Sequence, residues 1–166
     1  PGGRLAVTFP KSVGQIPFAF PFKPGSDESS ETSVYGALYP FGHGLSYTTF
    51  QYSDLVISPS KQGVQGNISI SCTIKNIGQR EGDEVVQLYL RDEVSSVTTY
   101  TQVLRGFERI TLKPEASHTV HFELTPQELG IWDKQMNFTV EPGMFKVMIG
   151  SSSKDIRLKG EFEIAQ

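Results

Sequence analysis

The feature that most limits the fold of this chain is a two-residue alternation that sets in near residue 50 and recurs to the end. Within residues 67–77, Ile68, Ile70, Cys72 and Ile74 fall on one side, and Ser69, Ser71, Thr73 and Lys75 on the other. A helix would scatter these residues around its circumference. A pleated strand gathers them into one apolar row, the mark of a half-buried antiparallel strand. Residues 50–57 read as a first strand, and residues 84–91 follow with Val86, Leu88 and Leu90 inward. Residues 103–112 make another strand, where Gly106 marks a bulge or a close backbone approach that lets Phe107 enter or pass the core. Val120, Phe122 and Leu124 alternate next, then Phe145, Val147 and Ile149 after the turn pair Pro142-Gly143, and Ile156, Leu158, Phe162 and Ile164 last. Short strands separated by regular turn signals predict an all-β antiparallel sandwich or barrel over residues 50–166, the sandwich preferred. Only residues 125–130 read as helical: Thr125 caps, Pro126 takes the first position, and Glu128 completes a capping box.

Residues 1–49 lack this order. Pro10, Pro17, Pro21, Pro24 and Pro40 interrupt them, and residues 23–34 are polar and turn-rich, a solvated loop. Leu5, Val7 and Phe9 alternate as one short strand with no evident partner. The expected organisation is an extended N-terminal arm ahead of the sandwich. A start at Pro1, without Met, suggests a chain cut from a longer one.

Charge and composition exclude several functions. The net charge is −3 and no Lys/Arg cluster exists, so no phosphate-neutralising face for nucleic acid is expected. No apolar run reaches the roughly 18–20 residues that cross a bilayer. The single Cys72 rules out an internal disulfide and reads as a small buried hydrophobe. His118 and His121 lie three apart on a strand, on opposite faces, and cannot share a metal; no metal or cofactor is expected. Glycoside hydrolysis needs two carboxyl groups that face each other across a bond. The adjacent pairs Asp83/Glu84 and Asp92/Glu93 diverge and read as solvated turn charges. Asn67-Ile68-Ser69 and Asn137-Phe138-Thr139 fit the glycan-acceptor pattern, which matters only in a secretory eukaryotic setting. His43 lies between two glycines within Tyr39-Pro40-Phe41-Gly42-His43-Gly44-Leu45-Ser46-Tyr47, where Phe and Tyr flank a flexible pair.

Several strings together resemble the C-terminal portion of family 3 glycoside hydrolases. Gly3-Arg4-Leu5-Ala6-Val7-Thr8-Phe9-Pro10 and Val13-Gly14-Gln15-Ile16-Pro17 look like the end of the family's second catalytic-region domain, and Tyr39 to Phe50 looks like the junction after it. Asn76-Ile77-Gly78, Gly82 to Tyr89, Leu104 to Ile110, Trp132-Asp133, Glu141-Pro142-Gly143 and Gly150 to Ser153 are similar to the family's fibronectin type III-like domain. The resemblance implies an immunoglobulin/fibronectin type III-like sandwich at residues 50–166, an end segment of the upstream α/β domain at 1–22, and a linker and junction at 23–49. It implies a parent that is an exo-acting retaining β-glucosidase or β-xylosidase, periplasmic or extracellular, whose nucleophile and acid/base lie upstream and map to no residue here. The chain alone is expected to be inactive. Its expected partners are the upstream catalytic domains, a second copy in a homodimer, and carbohydrate weakly or in the parent's context.

The motif residues have readings of their own. Asn76-Ile77-Gly78 turns the chain between strands. Trp132 plugs one end of the sandwich, or else serves as a sugar platform. A free-standing carbohydrate-binding module would need exposed aromatics on one sheet face, such as Tyr89, Tyr100 and Trp132; a cell-surface adhesion domain is a further alternative. The turn at residues 39–47 is expected to present Phe41 and His43 outward near the parent's substrate while Leu45 and Tyr47 lead into the sandwich. Otherwise it is a plain hinge with its aromatics packed away.

Overall fold

The computed structural model describes residues 1–15, 18–26 and 36–166. The alternating segments are strands. One sheet joins β3 (Phe50–Ser58), β5 (Ile68–Asn76) and β8 (Ser117–Leu124), with β5 in the middle. The other has the order β4-β12-β11-β6-β7 and comprises β4 (Lys61–Gly63), β6 (Gly82–Asp92), β7 (Val103–Leu112), β11 (Gly143–Gly150) and β12 (Ile156–Ala165). All pairings in these two sheets are antiparallel except β4 with β12. The apolar rows face each other. Ile68, Ile70, Cys72 and Ile74 of β5 join one core with Val86, Leu88 and Leu90 of β6 and with Phe145, Val147, Phe162 and Ile164 of β11 and β12. The rings of Phe145 and Phe162 stack at 5.4 Å across neighbouring strands. The fold is an all-β sandwich. The helical turn is present as α1 (Pro126–Leu129), and its Thr125–Glu128 capping box is formed.

Cys72 is buried, and desolvation pushes its thiol up to about 11. Ile70 is fully buried, whereas Phe122 is partly buried at the margin of the core. The reason lies at Gly106. The register of β7 slips beside it, and a Cβ on Gly106 would sit 2.9 Å from the Phe122 ring. The bulge and the close approach therefore both occur, but the ring admitted is Phe122. Phe107 points to solvent at 68% exposure, so of the two expected alternatives, entering or passing the core, it does not enter.

Two other expectations fail. Trp132 does not plug the sandwich: it is 59% exposed, on the two-residue strand β9 (Ile131–Trp132), paired with β10 (Phe138–Thr139). The arm's strand is β1 (Phe9–Pro10) and does not extend back through Leu5 and Val7. Its partner lies in this chain: β2 (Ala37–Tyr39), more than twenty residues further on. The loop reading for residues 23–34 falls largely outside the described residues.

The central strand β6 explains how the arm is held. Its burial is nearly continuous from Val86 to Leu90, so it is covered on both faces. Val86, Leu88 and Leu90 face the core, while Gln87 and Tyr89 face the arm.

Candidate functional site

The Tyr39–Tyr47 turn lies against the arm-facing side of β6. Gly42 has φ +80°, a backbone conformation that side-chain-bearing residues resist. A Cβ there would also fall 2.1 Å from Gln87 Oε1, so glycine is required twice over. The Gly42 N–H donates to Leu5 O at 2.8 Å, and the Leu5 N–H donates to His43 O at 2.9 Å. This short bridge ties the start of the arm to the turn.

Gln87 is the hub beneath the turn. It is buried, and its Nε2 donates to Gly42 O at 3.1 Å and to Ser151 O at 2.6 Å. Its Oε1 accepts the Tyr89 hydroxyl at 2.5 Å. Burial raises the Tyr89 pKa, so the phenol stays a neutral donor to Gln87. The Ser153 N–H donates to Phe41 O at 3.0 Å, which brings the Gly150–Ser153 string under the same turn.

The aromatics complete the seat. Phe41 stacks on Phe20 at 4.5 Å, and Phe20 meets Tyr89 edge-on at 5.8 Å and Phe22 at 6.2 Å. Phe22 is buried, and its carbonyl accepts the Thr101 N–H at 2.8 Å. His43 stacks on Tyr39 at 5.1 Å. Phe41 and His43 are thus half-buried and ring-packed, while Leu45 and Tyr47 are the exposed pair, at 68% and 75%. This reverses the expected orientation of the turn. The physical reason is that Phe20, more than twenty residues upstream, supplies a flat partner for Phe41.

Two polar anchors fix the segment on either side. Arg4 Nη2 pairs with Glu84 Oε1 at 2.6 Å, with side chains only 9% and 6% exposed. Glu84 is therefore not the solvated turn charge expected of it. Asp83 does point the other way, bonded to Arg109 and to Thr111 Oγ1. Asp92 is half-buried rather than freely solvated, and Glu93 pairs with Lys146 at 2.8 Å. Asn76, read from the sequence as a turn residue, is fully buried. Its Nδ2 donates to Arg80 O and Leu112 O at 2.7 and 2.8 Å, and its Oδ1 accepts Thr48 Oγ1–H and the Gly78 N–H at 2.6 and 3.0 Å. One amide thereby fastens the end of the junction to β5 and β7. Nothing in the local pattern of Arg4, Gln87 or Asn76 marks these long-range roles. The one visible signal is an Asn and a Gln at inward or doubly covered strand positions, where a polar group must find partners.

His118 and His121 stay apart as expected; His118 Nε2 lies 3.5 Å from Glu108. Among the described residues no group of three His, Cys, Asp or Glu is placed to hold a metal. No helix among them is long and apolar enough to cross a membrane. Tyr89 is buried, so the set of Tyr89, Tyr100 and Trp132 that a free-standing carbohydrate-binding module would need is not exposed as a platform.

Comparison with known proteins matches residues 84–153 to the fibronectin type III-like domain. The chain is 41% identical to a periplasmic β-glucosidase of Salmonella typhimurium, with 99% of this chain and 23% of that protein aligned. It is 42% identical to a β-xylosidase of Formosa agariphila, over 96% of this chain and 22% of that protein. Among solved structures, a β-glucosidase from Erythrobacter marinus superposes with a TM-score of 0.93 at 36% identity, covering 99% of this chain and 22% of that one. A Listeria innocua β-glucosidase in complex with glucose gives 0.89 at 30% identity, over 100% and 24%. The chain thus spans about a quarter or less of the length of the relatives it matches. It belongs to the C-terminal portion of family 3 glycoside hydrolases, and its sandwich is that family's fibronectin type III-like domain.

Proposed function

We propose that this chain is the non-catalytic accessory portion of an exo-acting, retaining β-glucosidase or β-xylosidase that works in the periplasm or outside the cell. Its task is to brace the catalytic domains and to hold the Tyr39–Tyr47 turn at the rim of the active site. In this reading residues 1–22 close the preceding α/β domain, residues 23–49 form the junction, and residues 50–166 are the sandwich.

One observation carries the proposal. The arm and junction are pinned to β6 on one side, yet expose Val7, Val13, Leu38, Leu45 and Tyr47 at 54–87% on the other. So much apolar surface in one short segment needs a cover. The relatives supply more than three-quarters of their length beyond what this chain spans. The catalytic domains are the cover that follows, and an arm held between them and the sandwich transmits position without chemistry. The stacking of His43 on Tyr39 leaves an imidazole edge able to hydrogen-bond a sugar hydroxyl.

The test uses the full-length enzyme. His43→Ala is expected to lower kcat/KM by more than about threefold, ~0.7 kcal/mol of transition-state stabilisation, with an unchanged Tm. Phe41→Ala should lower both, because it also removes the Phe20 stack. Unchanged kinetics for His43→Ala would leave the turn a hinge. A Leu45→Asp/Tyr47→Asp enzyme with normal Tm and activity would remove the docking role.

A further inference from the structure

A concavity lies where β6 runs out into residues 93–102. It encloses about 250 Å³, the share of roughly eight water molecules at ~30 Å³ each. Leu90, Leu129 and Phe145 give it an apolar lining continuous with the core. Two rings stand in its wall, Tyr100 at 43% and Trp132 at 59% exposure. Trp132 is held in place: β9 pairs it with Phe138, whose ring meets the indole at 5.5 Å and 62°. The platform is therefore fixed before any ligand arrives.

The charged lining is Asp92, Arg105 and Glu128. Arg105 Nε is buried with no hydrogen-bond partner among the described residues, an unusual state for a buried N–H. Burial lowers its pKa, while the charge of Glu128 acts in the opposite sense. Glu128 itself is committed to the helix cap, where its Oε2 accepts the Thr125 N–H at 2.8 Å. Asp92 accepts the Val94 N–H at 3.3 Å, a long bond that leaves acceptor capacity over.

This combination selects a ligand class. One guanidinium against two carboxylates disfavours an anion. Neighbouring donor and acceptor groups suit hydroxyls, each of which both donates and accepts. Aromatic faces suit the C–H surface of a ring. We propose that this cavity binds a neutral pyranose unit, packed on Tyr100 and Trp132 and hydrogen-bonded by Arg105 and Asp92. The site is separate from the Tyr39–Tyr47 turn and does not depend on the docking role proposed for the arm. It also differs from the sheet-face platform that a free-standing carbohydrate-binding module would need, since Tyr89 takes no part.

Trp132 is the only tryptophan of the chain, so its fluorescence reports on the site directly. This chain is titrated with methyl β-glucopyranoside, methyl β-xylopyranoside and, as the charged control, glucuronate. A saturable change with a neutral glycoside and none with glucuronate is expected. Tyr100→Ala and Arg105→Met are each expected to weaken binding by more than about tenfold, ~1.4 kcal/mol, with the far-UV circular dichroism of the parent chain. Tyr100 is exposed enough that its removal leaves the fold intact, should Arg105→Met disturb it. No saturation with either neutral glycoside overturns the proposal. So does binding that both variants retain, or binding of glucuronate alone.

Discussion

Truncating Arg4 to alanine tests whether the arm is locked to the sandwich by the ion pair at its base. Both side chains of the Arg4–Glu84 pair are more than nine-tenths buried, and their contact is 2.6 Å. Without Arg4, Glu84 Oε1 retains, among the described residues, only the neighbouring Val85 N–H, at 2.9 Å. The nearby Arg157 cannot simply take over, because its guanidinium is held by both oxygens of Asp155 at 2.5 and 2.7 Å. Removing one member of a buried pair leaves an uncompensated charge and costs about 3–5 kcal/mol. For a domain of this size each kcal/mol shifts Tm by roughly 2–4 °C, so a fall of about 6–20 °C is expected. Urea unfolding followed by circular dichroism gives the free energy directly. The double variant Arg4→Met/Glu84→Leu supplies the control. With no charge left to bury, it should return to within about 1 kcal/mol of the parent chain. The parent's stability should also respond little to added salt, since a pair this buried is weakly screened. An Arg4→Ala loss below about 1 kcal/mol, or a double variant as unstable as the single, would refute the reasoning.

Two further outcomes follow from the core and from the Tyr100–Trp132 cavity. Ile70→Ala, at a fully buried position in the middle strand of its sheet, should cost about 2–5 kcal/mol in the same urea assay; a cost under 1 kcal/mol would place Ile70 on the wrong face. The Asp92 carboxyl is raised above its ordinary 3.8 chiefly by burial, with Glu141 and Glu93 adding and the Val94 N–H opposing. A raised folded-state pKa favours the fold fully below the unfolded value and less as pH rises through the folded one. Asp92→Asn should therefore stabilise the chain at pH 7, with the gain shrinking as pH falls through the raised folded-state value and gone below the ordinary 3.8; a gain that grows on acidification would reverse the assignment.

How much of this was legible beforehand differs from element to element. The alternation of Ile68 to Ile74 dictated a strand with one apolar face, because side-chain direction on a pleat depends only on neighbouring residues. The Thr125–Glu128 cap was equally readable, since both its hydrogen bonds close within one turn. The sandwich followed from the number and spacing of such strands, and the family from motifs that are weak singly and specific together. Composition also excludes an internal disulfide, a basic nucleic-acid face and an apolar run long enough to cross a membrane.

The candidate sites depended on contacts the chain makes with itself at long range. Whether Phe41 faces solvent or a ring was decided by Phe20, and whether Glu84 is solvated was decided by Arg4, eighty residues away. Tyr89 has the alternation of an exposed sheet-face residue, yet the arm covers it, so a face that reads as polar-side strand became a second interface. Trp132 went the other way: large and apolar, it reads as a core plug, but a two-residue strand carries it outside the layers. Sequence alone determined which segments become strands and which of their faces is apolar, because those properties are local. Tertiary structure decided what lies against each remaining face, because burial and hydrogen-bond partners are set by where distant segments meet.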